Sequence, residues 1–304
     1  MNHLLILIAP PASGKTYWIS QFQKLSPEKI LFLSPLRALA DECKLRWEES
    51  IDVRTPEEWM MKPIRRDIVI IDEYHLYFYW GDTFRPLMWE VFYELISEAS
   101  LVVFLTATLS EEMKKETLKF SSHFHESYLC DFGNQTLKFQ PQKYFLAPSI
   151  RWLEEIILLG PRGGGVNLIF CQYREEVRRW TEKLQKHHYS TWGFVGGEAG
   201  EVSLKMKDEE LPHFIVATTV LSHGVNLPEI TCIYFTYKLN NVDFWIQMVA
   251  RGGRKGESYE VFSLERPVRL SWSLWRNYVN IFLLTLKLKW KTNLNEFWTW
   301  YLKE

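Results

Sequence analysis

Residues 4–16 read LLILIAPPASGKT, an apolar run that ends in a turn of small residues, then a lysine and a threonine. A run with no polar alternation suits a strand covered on both faces, the environment of a parallel sheet. Parallel neighbours must be joined by crossover segments, usually helices, so this one run already points to an α/β chain. A strand that turns directly into a helix aims backbone N–H groups and the positive end of the helix dipole at one point, where phosphate oxygens are stabilised. The loop departs from the full G-x-x-x-x-G-K-[ST] pattern: Ala9 stands at the first glycine, and Pro11 removes one N–H from the cradle. Its working part is Ser13, Gly14, Lys15 and Thr16. Lys15 is placed to neutralise the β- and γ-phosphates, and the Thr16 hydroxyl to hold Mg²⁺. Alone, the stretch is either a nucleotide site or a helix start that matches by chance.

The pattern continues. KILFLSP (29–35), DIVIIDE (67–73) and LVVFLTAT (101–108) are further apolar strands, with the helical stretches GKTYWISQFQKL, LRALADECKLRWEE and RPLMWEVFYELISEA between them. Strands alternating with helices predict βαβ units and a mostly parallel sheet. A second series follows: NLIFC (167–171), the charged helix REEVRRWTEKLQK, FIVATT (214–219), CIYFTY (232–237), VDFWIQMVARGG as a helix with its end, and SYEVFSL (258–264). The reading is an α/β chain of two tandem domains, residues 1–140 and 141–266. A C-terminal helical extension, 267–304, packs on the second. There Trp272, Trp275, Val279, Phe282 and Leu286 recur at helical spacing.

VIIDEYH (69–75) ends a strand in two acids, at the carboxyl edge where α/β sheets bind ligands. Asp72 is placed to hold Mg²⁺, and Glu73 to orient and deprotonate a water attacking the γ-phosphate. Acids also end strands simply because they are solvated. The loop upstream in the same domain favours hydrolysis. QMVARGGR (247–254) then offers Gln247, Arg251 and Arg254 at a helix end in the second half. Arginines reaching across a cleft stabilise charge in phosphoryl transfer. A small-molecule kinase has no need of a second, similarly patterned domain.

The ordered set of short stretches resembles a superfamily 2 helicase core of the DExH type. APPASGKT resembles motif I, SPLRALADE (34–42) motif Ia, TPEEW (55–59) motif Ib, DEYH (72–75) motif II and TAT (106–108) motif III. LIFCQYREEV (168–177) resembles motif IV, VATTVLSHGVNLPE (216–229) motif V and QMVARGGR motif VI. The wording of TPEEW and GVNLP is most similar to the Ski-like branch. The resemblance implies two RecA-like domains with ATP and Mg²⁺ between them and a single strand of nucleic acid lying across both; the branch contains DNA and RNA helicases, and the reading leans to DNA. Translocation would run 3′ to 5′. By the same resemblance Gly224 lies near the nucleotide; His75, Thr106 and Thr108 couple hydrolysis to movement; and Arg37, Thr55 and Thr218 contact the nucleic-acid backbone. An RNA helicase, an annealing or remodelling protein and, more distantly, a P-loop kinase are the competing readings.

The net charge of −1 gives no global pull toward a polyanion, so a nucleic-acid site must be local. Cys43, Cys130, Cys171 and Cys232 form no C-x-x-C pair, which fits a reducing compartment. His123, His125 and Cys130 lack a second ligand pair nearby and carry no metal reading. The first strand opens close to the N-terminus, which leaves no upstream adenine-reading segment and predicts loose base selectivity. A cytoplasmic monomer without a membrane span is expected.

Overall fold

The computed structural model describes residues 2–23, 29–48, 50–195, 205, 210–222 and 227–265. The expected extension at 267–304 and Gly224 lie outside them.

The first half builds β1 (His3–Ile8), α1 (Lys15–Gln23), β2 (Ile30–Leu33), α2 (Arg37–Trp47), β3 (Asp52–Arg54), α3 (Pro56–Met61), β4 (Ile68–Ile71), α4 (Leu87–Glu98), β5 (Leu101–Thr106), α5 (Glu111–Phe120) and β6 (Glu126–Asp131). Its six strands are all parallel, in the order β3-β2-β4-β5-β1-β6. The second half builds β7 (Lys143–Leu146), α6 (Ile150–Leu158), β8 (Val166–Phe170), α7 (Arg174–Lys186), β9 (Thr191–Phe194), β10 (Phe214–Ala217), β11 (Ile230–Phe235), α8 (Val242–Val249) and β12 (Glu260–Ser263). Its sheet is also all parallel, in the order β7-β12-β11-β8-β10-β9.

Both faces of the first sheet are covered, as the unbroken apolar runs require. Leu31 and Leu33 of β2 pack with Val91, Phe92 and Leu95 of α4. The alternate residues, Ile30 and Phe32, pack on the other face with Ile19 of α1 and with Leu39, Cys43 and Trp47 of α2. The second sheet divides its residues in the same way: Leu168 and Phe170 face Trp245 and Val249, while Ile169 faces Leu153, Val177 and Trp180. Because every strand in a sheet runs the same way, all carboxyl ends share one edge, and loops from several strands converge there. Among the described residues, no helix is long and apolar enough to cross a membrane.

Candidate nucleotide site between the two sheets

The Ala9 N–H donates to Thr106 O at 3.0 Å, holding the loop entrance to the neighbouring strand β5. The chain then turns through Ala12 at φ +60° and Gly14 at φ +93° before α1 begins at Lys15. Gly14 adopts this geometry without a steric penalty, whereas Ala12 sits where non-glycine residues are uncommon. Lys15 Nζ donates to Ala9 O at 2.8 Å and Pro10 O at 3.2 Å, folding back over its own loop. Burial lowers the Lys15 pKa, and the charges of Glu73 and Asp72 oppose that shift.

Asp72 and Glu73 leave the end of β4. The Asp72 N–H donates to Leu33 O at 2.9 Å and the Tyr74 N–H to Leu105 O at 3.0 Å, so the acidic turn is tied to the strands on either side. Tyr74 stacks on Phe104 at 4.1 Å and anchors the turn in the core. Glu73 holds φ +46°, a strained position for a side-chain-bearing residue. Burial pushes the Glu73 carboxyl up to about 7; the neighbouring Asp72 adds to the rise, while Lys15, Arg251 and Arg254 oppose it. Burial also raises Asp72, against the pull of Lys15. Glu73 Oε2 is buried without a hydrogen bond.

Helix α8 enters from the second half. Gln247 and Arg251 are buried, and Arg254 Nε donates to Ala250 O at 2.9 Å, closing the helix end. Burial lowers both arginine pKa values; Arg254 lowers Arg251 further, and the Glu73 and Glu42 carboxylates favour both charged forms. The loop residues Ser13, Gly14, Lys15 and Thr16, the acids Asp72 and Glu73, and Gln247, Arg251 and Arg254 all line one cavity of about 340 Å³. Thr16 and Asp72 supply a hydroxyl and a buried carboxylate, the hard oxygen donors that suit Mg²⁺ shared with phosphate oxygens.

The remaining residues expected from sequence fall into two groups. His75 Nδ1 lies 3.0 Å from Thr106 Oγ1, and Thr106 Oγ1 donates to Thr108 O at 2.7 Å, so the three form one buried network. With the threonine proton directed to Thr108, the imidazole donates from Nδ1. That nitrogen is also 3.5 Å from Glu73 Oε2, which links the network to the acid. Arg37, Thr55 and Thr218 do not line the cavity. They follow β2, β3 and β10, on the carboxyl edges of the two sheets. Arg37 is exposed and Thr218 half-buried. Thr55 is buried as the N-cap of α3: its hydroxyl accepts from the Glu58 N–H, and Glu58 returns a bond to its backbone. That hydroxyl serves the helix first.

Two features were missed from sequence. Glu42 on α2 lines the cavity and pairs with Arg46 at 2.7 Å, one turn along the same helix. The aromatic run after the acids forms a widened helical turn, Tyr77–Gly81, a form that recurs at functional sites. Beyond it Trp80 meets Phe84 at 5.7 Å, and Arg85 lies over Trp80 at 5.5 Å while its guanidinium grips Glu57. The density of aromatic residues in YHLYFYWGDTF was the available signal.

Residues 149–256 match the helicase conserved C-terminal domain family. The ATP-dependent DNA helicase RecQ of Bacillus subtilis (strain 168) is 23% identical over 246 residues, which cover 79% of this chain and 38% of that protein. The ATP-dependent RNA helicase eIF4A of Aspergillus niger is 24% identical over 308 residues, 84% of this chain and 75% of that protein. Among solved structures, Mss116p bound to ssRNA and AMP-PNP has a TM-score of 0.67 at 15% identity, with 86% of this chain and 66% of that one covered. This last likeness shows the fold, a pair of RecA-like domains. The chain spans well under half the length of the RecQ protein. The family match covers residues 149–256, and the matched relatives are named as DNA and RNA helicases. They include DNA and RNA enzymes and do not single out the DExH type or the Ski-like branch.

Proposed function

We propose that the protein is an ATP-driven helicase or translocase that moves 3′ to 5′ on single-stranded nucleic acid, DNA in preference to RNA, as a cytoplasmic monomer. The observation that carries this reading is the single cavity in which the phosphate loop and acids of one half meet the arginines of the other. We place the domain boundary at residue 140, and the TPEEW and GVNLP wording favours the Ski-like branch of the DExH type.

ATP would take the Lys15 ammonium from Ala9 O and Pro10 O, where it now rests. Thr16 and Asp72 would hold Mg²⁺, which supplies charge neutralisation to the β- and γ-phosphate oxygens. Glu73 would accept the proton of the attacking water; its burial keeps the carboxyl basic enough for that task near neutral pH. Arg251 and Arg254 would stabilise the charge that develops on the γ-phosphoryl group, with Gln247 beside them. The loss of γ-phosphate removes the anion that both halves grip, so hydrolysis loosens them. The His75–Thr106–Thr108 network stands beside Glu73 to relay that change. Arg37, Thr55 and Thr218 mark where the strand would lie, and backbone contacts of this kind are sequence-independent and weaken with salt.

The test is ATP turnover with single-stranded, duplex and forked DNA and RNA. Stimulation by single-stranded DNA above RNA is expected, and Lys15→Ala should lose turnover by at least about 100-fold. Stronger stimulation by RNA selects the RNA helicase reading. Turnover that no nucleic acid stimulates argues for the kinase reading, and stimulated turnover without strand separation for a remodelling protein. Near-normal turnover in Lys15→Ala sinks the cavity assignment.

A further inference from the structure

We propose that Tyr79 and Gln135 are positioning residues that seat α8 on the first half through Asp243, and so set where Gln247 and Arg251 stand in the nucleotide cavity. The inference rests on the reading of that cavity as an ATPase site.

Asp243 is 2% exposed, although it carries a carboxylate. A buried charge is costly unless its lone pairs are satisfied. Here each oxygen has one donor, and both donors come from the first half. Tyr79 OH donates to Oδ2 at 2.6 Å, and Gln135 Nε2 donates to Oδ1 at 2.8 Å. Bonds to a carboxylate are shorter and stronger than neutral ones. Burial and the carboxylate itself raise the Tyr79 phenol pKa, so it stays a donor across ordinary pH. The Tyr79 ring also packs on Phe244 at 5.2 Å.

The carboxylate is not needed to cap its own helix. Asn241 Oδ1 already accepts from the Asp243 and Phe244 N–H groups at 2.9 and 3.1 Å. Asp243 is thereby left to bond across the interface. Asp243 and Gln247 are spaced by four on α8, so they fall along one side of the helix about 6 Å apart, and Arg251 follows in the turn that ends it. An anchor at the first turn of so short a helix fixes the direction in which its other end delivers the arginine. On the opposite side, the Tyr79 ring meets His75 edge-on at 6.2 Å, and His75 belongs to the network beside Glu73. The clasp therefore lies between the acid of one half and the cations of the other. A misplacement of 1 Å in such a constellation costs up to about 100-fold in rate.

The experiment compares Tyr79→Phe, Asp243→Asn, Gln135→Ala and the Tyr79→Phe/Asp243→Asn double variant in the full chain, with single-stranded nucleic acid saturating. Tyr79→Phe keeps the ring and its packing, which guards against simple misfolding. We expect kcat to fall about tenfold in Tyr79→Phe and Asp243→Asn, and KM for ATP to stay within about twofold. Gln135→Ala should show the same split at about threefold. The double variant should be no worse than the weaker single, because both remove one contact. Singles with kcat within about twofold of the parent, or a double loss equal to the product of the singles, overturn the proposal. A loss of kcat that follows a collapse of the thermal unfolding midpoint also overturns it, since the role is then only structural. If the parent chain hydrolyses no ATP, the cavity reading has failed, and small-angle scattering judges the clasp alone. A larger radius of gyration in Asp243→Asn supports it, and an unchanged profile rejects it.

Discussion

The two halves share six parallel strands and a core on each face, yet they bury their polar groups in different places. In the first half, Asp72, Glu73, His75, Thr106 and Thr108 are buried together at the carboxyl ends of β4 and β5. In the second half, the buried charges Asp243 and Arg251 belong to α8 and the turn that ends it. Its deepest polar group on the sheet, Asn167, sits at the opposite edge, near the start of β8. Polar groups at the carboxyl edge are poorly satisfied: Glu73 Oε2 and Thr108 Oγ1 lack hydrogen bonds. Asn167 is saturated, accepting from the Arg162 N–H at 2.9 Å and donating to Arg162 O at 2.8 Å. On the proposed reading, the unsatisfied polar groups at one edge serve chemistry and the satisfied ones at the other serve folding. The same architecture serves both, and among the described residues the second half reaches the cavity through Gln247, Arg251 and Arg254.

The largest test of that division is Arg251→Ala. If the second half acts mainly as a source of cations, turnover should fall about 1,000-fold while ATP still binds to the loop in the first half. Arg251→Lys should recover little, because an ammonium cannot reproduce the planar fork of a guanidinium. Single-turnover hydrolysis alongside binding of a fluorescent ATP analogue separates the two effects. Turnover within tenfold of the parent would show that the first half works alone.

Much of this site was legible because its parts are local. The loop, the acid pair and the arginine-bearing helix end are each a few residues long, and the apolar runs place all three at strand or helix ends. The strands β1, β2, β4 and β5 were legible for the same reason: each is buried on both faces and reads as an unbroken apolar run. Strand β6 was not, because ESYLCD lies at the sheet edge with most of its residues exposed, so burial never selected an apolar pattern. Strand β3 is three residues long, too short for any period. Glu42 and Asp243 left no local signal either, and the aromatic run did not single out Tyr79. Tyr79 and Asp243 acquire meaning only when residues 164 positions apart are brought together. The left-handed backbone at Ala12 and Glu73 is likewise a product of the tertiary turns around them.

A smaller effect separates the edges by pH. His75 is fully buried, and burial holds its pKa down at about 4; Asp243 opposes the shift and Lys15 adds to it. The folded protein therefore favours the neutral ring, while the unfolded chain titrates near 6.5. The stability this contributes is complete above about pH 6.5 and drains away as pH falls toward about 4, an effect of about 3 kcal/mol. Denaturant unfolding between those pH values should show a steeper loss in the parent chain than in His75→Gln. Parallel pH profiles would mean that the carboxyl-edge histidine costs nothing to keep neutral.

The smallest expected effect lies at the opposite edge and touches stability alone. Asn167 ties the turn before β8 to the sheet, and Thr231 Oγ1 reinforces it with a bond to Arg162 O at 2.8 Å. The turn is tight: a Cβ at Gly165 would lie 2.7 Å from Glu229 O. Asn167→Ala removes the acceptor for the Arg162 N–H and leaves Arg162 O to Thr231, so the loss is partial, about 1–2 kcal/mol. The unfolding midpoint should fall, while ATP turnover well below that midpoint stays at the parental rate. A fall in turnover without a fall in stability would place catalytic influence at the amino edge of the second sheet. It would also remove the reason for assigning chemistry to one edge and folding to the other.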